Sequence, residues 1–590
     1  MSKYLRETSN YDKRPVLPGS NDEGSCWKGW ENIIEQLKVA CSALDRKKII
    51  VTVECYPGLY QDEILQALEN GLSPGQTRLS ADAMKPSEQI DQLVYPDITD
   101  DEIFGYLSRL HIQDFFDLDK LAQMREAILE TNEGVILLYG TGASLLGDAD
   151  ILVYADMPRW EGQLRFRRNE VSNLGVENRT LKGSLQYKRA FFVDWRVCDR
   201  LKQHLIEKWD YVLDTVIRDV PKMATGKAVR EAFSQAVTRP FRVVPFFDPG
   251  PWGGQWMKEV CDLDRSETNF AWCFDCVPEE NSLLLRFGDT NFEIPAINLV
   301  FFEPEKLLGS AVYARFGKEF PIRFDFLDTI GGGNLSLQVH PTTEYIQEHF
   351  GMHYTQEESY YMLDAEDDAF VYLGLKQGVE PEKMIDELRK SQTSGTFDAE
   401  QYVGKYPVKK HDHILIPPGT VHCSGTNGMV LEISATPYIF TFKLWDWGRM
   451  GLDGKPRPIN IERGKHVINW EQTPEVTKKE LINVVEKLAE GEGWLEERTG
   501  LHQREFIETR RHWFTNTVLH DTRGNLNVLN LVEGREALVE SPSKAFEPFL
   551  VHYAETFIIP AHVGAYSITP SGETKGRKCA TLKAFVRTQP

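Results

Sequence analysis

The chain has 590 residues, a formal net charge of −21, 41% hydrophobic residues and 26% charged ones. That balance supplies several apolar cores and excludes a disordered chain, while an acidic excess without Lys/Arg clusters excludes a non-specific nucleic-acid binder. No apolar run reaches the roughly 18 residues of a membrane span, and the start MSKYLRETSNYDKRP lacks a signal peptide's apolar core. A cytoplasmic protein with no membrane or nucleic-acid partner is therefore expected. Nine cysteines, an odd number without framework spacing, fit reduced thiols. Cys273 and Cys276 form one C-x-x-C, but no second pair or nearby His completes a zinc site, so the pair reads as structural.

Residues 1–45 are polar, dotted with aromatics, and read as an arm. From residue 46 the pattern changes. RKKIIVTVEC is an apolar strand, Tyr56-Pro57-Gly58 a turn, and DEILQALENGL has helical spacing. EGVILLYG and ADILVYAD are further buried strands, and RWEGQLRFRRNEV has helical character. Apolar strands alternating with helices predict a parallel α/β domain over 46–240.

Strand, turn and helix at 49–69 are where a phosphate loop would place its glycines and lysine. Here ECYPGLYQDE keeps one glycine and no lysine, Asp62 and Glu63 would repel phosphate, and YGTGASLLG is too loose a second glycine turn. No nucleotide-binding residue is assigned. Arg159, Arg165, Arg167 and Arg168 read as a solvated helix face. In layout, residues 45–230 resemble the uridine-kinase-like branch of P-loop kinases, which implies a degenerate kinase-like domain serving as scaffold, sensor or dimerisation surface.

After FFDPGPWGG, ending at Gly254, short strands punctuated by Gly, Pro and Asn dominate, interrupted by helical pieces at PEKMIDELRKS and TKKELINVVEKLAEG. Jelly-roll or barrel domains are predicted. In NLSLQVHP, Asn334 to Pro341, strand alternation puts Ser336, Gln338 and His340 on one face and Leu335, Leu337 and Val339 on the other. Glu358 precedes an apolar-aromatic strand, His422 follows a Pro-Gly turn, and Glu432 lies on the next strand. Two imidazoles, a carboxylate and an amide oxygen suit Zn²⁺ or a similar divalent ion, one per chain, with positions left open for water or substrate. His411 and His413 read as surface residues. His512, His552 and His562 lack a Q-x-H or a partnered Glu, so the last β block is expected to be metal-free.

The order Q-V-H-P, a Glu before aromatics, P-P-G-T-V-H, V-L-E and W-D-W-G-R resembles the type I phosphomannose isomerases over about residues 245–590. WGG at 252–254, ETNFAWCFDC, YLGLKQGV at 372–379 and FIIPAHVGAYSI at 557–568 add to the resemblance. It implies two cupin barrels with helical insertions after the α/β domain, a catalytic one over 241–480 and a second over 481–590. It also implies a metal-dependent aldose-ketose isomerase acting on mannose 6-phosphate, fructose 6-phosphate or a related sugar, with Gln338, His340, Glu358 and His422 as ligands. Ser336, Gln356, Glu432 and Trp252 are then expected to meet substrate. Two positions depart from the family: Gln356 stands where bacterial members carry Lys, and Lys443 where they carry an active-site Arg, with Arg449 as the second candidate for that catalytic role. These departures keep alive a carbohydrate-sensing protein with a degenerate site and pseudokinase domain, whereas a bifunctional kinase-isomerase is disfavoured by the missing phosphate-loop Lys. A homo-oligomer formed through the N-terminal domain is also an expectation.

Overall fold

The computed structural model describes residues 8–19, 23–435, 439–450, 457–500 and 506–588. The expected arm at 1–7 and 20–22 thus lies partly outside the described residues. The chain divides into two compact units. One comprises Val16–Ala236 and Pro278–Glu303, the other Met1–Pro15, Val237–Val277 and Pro304–Pro590.

In the α/β unit the apolar run at 48–55 is the central strand Lys48–Cys55. It pairs in parallel with Gly134–Gly140 on one side and Ile151–Asp156 on the other. Gln76–Leu79 and Tyr211–Asp214 extend the sheet in parallel, and Lys222–Thr225 and Cys26–Lys28 complete one edge in antiparallel pairing. A strand buried on both faces is uniformly apolar, which is why these runs do not alternate. The helix Trp30–Ala43 packs Ile33, Ile34 and Leu37 into one core with Ile49, Val51 and Val53.

Three expectations for this region are corrected. Residues 16–19 and 23–43 are not an arm, because Val16–Pro18 pairs in parallel with Ser282–Phe287, Cys26–Lys28 closes the large sheet, and the helix that follows buries its apolar stripe. Residues 278–303 do not belong to the barrel that surrounds them in sequence. Their hairpin, Ser282–Phe287 with Thr290–Pro295, completes the three-stranded sheet with Val16–Pro18. Arg159 and Arg165 are not solvated: they are 4% and 0% exposed. Arg165 Nε pairs with Glu161 at 2.8 Å and its Nη1 donates to the Gly58 carbonyl at 3.0 Å, while Arg159 pairs with Asp199 at 2.5 Å. Charges buried to this degree persist only where counter-ions meet them, and here the helix Arg159–Arg167 turns each guanidinium onto one. Arg167 and Arg168 are exposed.

The second glycine turn carries an internal anion. Glu54, at the end of the central strand, accepts hydrogen bonds from Gly142 N at 2.5 Å and Ser144 N at 2.9 Å. Burial raises its carboxyl to about 7 despite those amides. The amide nest that might cradle a phosphate is thereby filled by the chain's own carboxyl group.

The other unit contains two β-sandwiches. The first combines a six-stranded sheet, including Arg323–Asp328, Glu358–Ala365, His413–Ile416 and Gly428–Ser434, with a five-stranded sheet that includes Leu337–Val339, His422–Ser424 and Phe442–Trp445. The second pairs a six-stranded with a four-stranded sheet around Phe514, Leu529, Leu531 and Phe557 from one and Val539, Tyr566 and Ile568 from the other. The expected helix at Pro381–Ser394 is present. TKKELINVVEKLAEG is only partly helical, because the helix Pro474–Glu480 stops and Glu486–Gly491 is an edge strand. Asn483, with φ of 53°, breaks the helix between them, and the β-branched Val484 and Val485 favour leaving it. All nine cysteines are free, and Cys273 and Cys276 are buried in the strand Trp272–Cys276. No described helix is long and apolar enough to cross a membrane.

His413 is 1% exposed, not a surface residue. Its strand lies against Trp494–Gly500 of the second sandwich, where a Cβ added to Gly500 would come within 2.8 Å of the imidazole Cε1. Neither ring nitrogen has a hydrogen-bond partner among the described residues. Burial, reinforced by Arg511, pulls its pKa down to about 3. An unfolded imidazole takes a proton near about 6.5, so stability is complete above that pH and declines as pH falls toward 3. The expected loss at pH 5 from this group is about 2 kcal/mol. The His413→Gln protein should therefore lose less Tm than the parent between pH 7 and pH 5, and identical losses would remove the attribution to His413.

Candidate metal centre

The residues of the expected cage come from both sheets of the first sandwich. Gln338 lies opposite His422 on one neighbouring strand and opposite Lys443 on the other, so these three side chains form a row on one sheet face. From the facing sheet, Glu358 pairs with Ser434, and Tyr360 pairs with Glu432, which in turn stands opposite Asp325. His340, Glu358 and His422 are all buried and offer one ligand atom each within 4.8 Å of one another.

The two imidazoles are oriented by the backbone. His422 Nδ1–H donates to Thr420 O at 2.8 Å and His340 Nδ1–H to Phe440 O at 3.3 Å, which leaves both Nε2 lone pairs facing inward. They converge on a single carboxylate oxygen: Glu358 Oε1 is 2.7 Å from His422 Nε2 and 3.1 Å from His340 Nε2. His340 Nε2 and Glu358 Oε1 are buried without a hydrogen bond, and an ion at that position would supply the missing partner. The Gln338 amide reaches His422 Nε2 at 3.2 Å. Two imidazoles, a carboxylate and a carboxamide therefore fit a divalent ion both in chemistry and in these orphaned atoms. Burial pushes the Glu358 carboxyl up, but the adjacent imidazoles of His340 and His422, where they carry a proton, hold it well below the usual carboxylate range.

Around this cluster the expected residues divide. Gln356 Nε2 donates to Glu358 Oε2 at 2.9 Å, steadying the oxygen that faces away from the imidazoles. Glu432 is buried, and desolvation, the Glu358 charge and Asp325 push its carboxyl well up, which favours its protonated form. Lys443 is half-buried, and its Nζ makes no hydrogen bond to any described residue. Burial, then Arg457, lower it to about 8 against the pull of Asp446. Ser336 is buried just ahead of the strand Leu337–Val339.

Arg449 is turned onto the chain itself. Its Nη2 donates to Asn334 O, its Nε to Asp446 O at 3.3 Å, and its Nη2 lies 3.5 Å from Asp446 Oδ1. Trp252 is corrected outright. It is 2% exposed, packs edge-on against Trp272 at 4.7 Å, and its carbonyl accepts from Gly333 N, so it is a core residue under the glycine turn with none of the cage residues among these contacts.

Three residues escape a reading of the sequence. Arg323 and Asp325, 1% and 4% exposed, stand on the same inner face as Ser434 and Glu432. The alternation R-F-D-F of their strand was the available signal. Arg457 pairs with Asp446 at 2.7 Å, so three cations, Lys443, Arg449 and Arg457, surround one carboxylate.

Comparison with known proteins divides the chain at the same place. Residues 29–238 match a family described as a Domain of unknown function (DUF8485). The chain is similar to the Probable mannose-6-phosphate isomerase GmuF of Bacillus subtilis, 29% identical over 255 residues that span 42% of this chain and 74% of that one. It is similar also to the Mannose-6-phosphate isomerase of Streptococcus mutans, 26% identical over 37% of this chain and 64% of that one, and to ManA of Bacillus subtilis, 25% identical over 40% and 70%. The crystal structure of the Bacillus subtilis mannose 6-phosphate isomerase superposes with a TM-score of 0.47 at 17% identity, over 58% of this chain and 99% of that one. These relatives are named as mannose-6-phosphate isomerases, enzymes of the isomerase class, and the chain is similar to them over about two fifths of its length.

Proposed function

We propose that the protein is a metal-dependent aldose-ketose isomerase that interconverts mannose 6-phosphate and fructose 6-phosphate, or a closely related sugar phosphate, through an enediolate. The observation that carries this reading is the buried His340, Glu358, His422 cluster, in which His340 Nε2 and Glu358 Oε1 have no hydrogen-bond partner among the described residues, with Glu432 on one sheet and Lys443 on the other. A divalent ion such as zinc, held by these residues and Gln338, supplies Lewis-acid polarisation of the sugar's carbonyl and neighbouring hydroxyl oxygens.

The chain's own groups do the rest. Moving a carbonyl between C1 and C2 requires a proton to leave one carbon and arrive at the other. Glu432, sealed beside Asp325, is positioned to carry that proton on its carboxyl oxygen. Lys443 Nζ, unengaged in the same row as Gln338 and His422, offers positive charge to the developing enediolate. Arg449 and Arg457 leave a net positive charge around Asp446, which suits a phosphate. Gln356 serves as a hydrogen-bond donor to the Glu358 carboxylate in place of the lysine seen in bacterial relatives. For the α/β unit we infer a kinase-like scaffold without a phosphate loop, supported by its parallel sheet and by the Glu54 carboxyl already seated in the glycine turn.

The test is a coupled assay on mannose 6-phosphate and fructose 6-phosphate with metal analysis alongside. Lys443→Ala should lower kcat by about a hundredfold or more while metal content stays unchanged, and Lys443→Arg should restore most of it. Unchanged turnover in Lys443→Ala would sink the role assigned to that lysine, and metal without turnover on either sugar would sink the isomerase reading.

A further inference from the structure

The second sandwich has a built cavity of its own. Along the inner face of its six-stranded sheet, one end is apolar, with Phe514, Leu531 and Cys579 in the core. Toward the other end the same face becomes polar: His512 stands opposite Thr581, and Arg510 opposite Lys583. There the two sheets part around a cavity of about 630 Å³, into which His520 projects from the four-stranded sheet.

Its walls are incompletely satisfied. His512 Nδ1, His520 Nε2 and Asn525 Oδ1 are buried without a hydrogen-bond partner among the described residues, on residues 3%, 7% and 6% exposed. Polar atoms this deeply buried are ordinarily paired, so three orphans on one cavity point to a ligand that pairs them. Both hydrogen-bond donors and acceptors are on offer, as a hydroxyl-rich molecule requires.

The charge is also out of balance. Arg510 is neutralised by Glu508 at 2.6 Å and Glu496 at 3.0 Å, and His512 leans on Glu496 at 3.1 Å. Lys583, 7% exposed, and Arg523 at the rim form no ion pair among the described residues. With Glu496, Glu508 and Asp521 set against the five Lys and Arg residues of the lining, two cations remain in excess for a negative group. Burial also draws Lys583 down to about 8, against the pull of Glu496 and Glu508.

We propose that this cavity is a second ligand site, separate from the metal centre, that binds a small polyhydroxylated anion such as a sugar phosphate or a sugar acid. The anionic group sits against Lys583 and Arg523, and the hydroxyls pair with His512, His520 and Asn525.

Calorimetric titration of the full-length chain carrying Glu358→Gln, which disables the first centre, tests this without reference to isomerisation. The probes are fructose 6-phosphate, gluconate and inorganic phosphate. Saturable binding of one molecule of fructose 6-phosphate or of gluconate is expected, and whichever binds identifies the anion as phosphate or carboxylate. Lys583→Met should weaken that binding about tenfold or more, through loss of a charge-assisted contact. Arg523→Ala, at an exposed position with no packing to lose, should weaken it several-fold and keeps the test valid if the buried replacement fails to fold. Absence of binding by all three probes, binding of inorganic phosphate alone, or binding indifferent to both replacements would overturn the proposal.

Discussion

Replacing Glu358 by glutamine is expected to strip the protein of stoichiometric divalent metal and to end isomerisation with it. The carboxylate is the one anionic member of the cluster, and its Oε1 is the point on which both imidazoles converge. Glutamine keeps the shape and can still take the Gln356 hydrogen bond on its own oxygen, so the fold should survive. What it removes is the negative charge that draws a cation into a site 2% exposed to solvent. Metal affinity should fall by on the order of a hundredfold or more, beyond what loss of a supporting partner alone costs. Inductively coupled plasma measurement of metal per chain, before and after dialysis against chelator, reads this directly. Full metal occupancy in Glu358→Gln would show that the cluster is not the metal centre.

The same site shows where sequence reading succeeds and where it stops. Strand alternation places Gln338 and His340 together because period two is rigid, and the strands bearing Glu358 and His422 carry apolar neighbours that mark them as buried. The central strands of the α/β unit are legible for a related reason, since no solvated structure tolerates a run such as IIVTV. What stays hidden depends on partners distant in the chain. The hairpin at 282–295 has the alternation of any barrel hairpin, and only its pairing with Val16–Pro18 assigns it to the other unit. The arginines of RWEGQLRFRR read as a solvated face because their spacing fits either side of a helix. Asp199, forty residues on, decides the fate of Arg159. His413 resembles a surface residue until Gly500 closes over it. Arg457 joins Asp446 from beyond a segment whose local sequence carries no periodic signal.

Glu432→Gln is expected to lower kcat by about 10²–10⁴-fold, the range over which a positioned proton carrier contributes, with metal content and KM little changed. Two acids stand side by side on the inner face here, Asp325 and Glu432, with a third charge at Glu358 within interacting distance. Desolvation and the like charge of Glu358 and Asp325 both oppose ionisation of Glu432. A glutamine is close in shape to a protonated glutamic acid and brings no charge, so the replacement relieves the crowding. The variant should therefore match or exceed the parent in Tm at neutral pH while losing turnover. Solvent-exchange measurement sharpens the result. In the parent, deuterium from water should enter C1 or C2 of the sugar during isomerisation, and in Glu432→Gln that incorporation should fall in proportion to kcat. A variant that loses Tm and metal together would mark Glu432 as part of the framework, and one that exchanges deuterium at the parental rate would move the proton-carrying role to Lys443, on the other sheet in the row of Gln338 and His422.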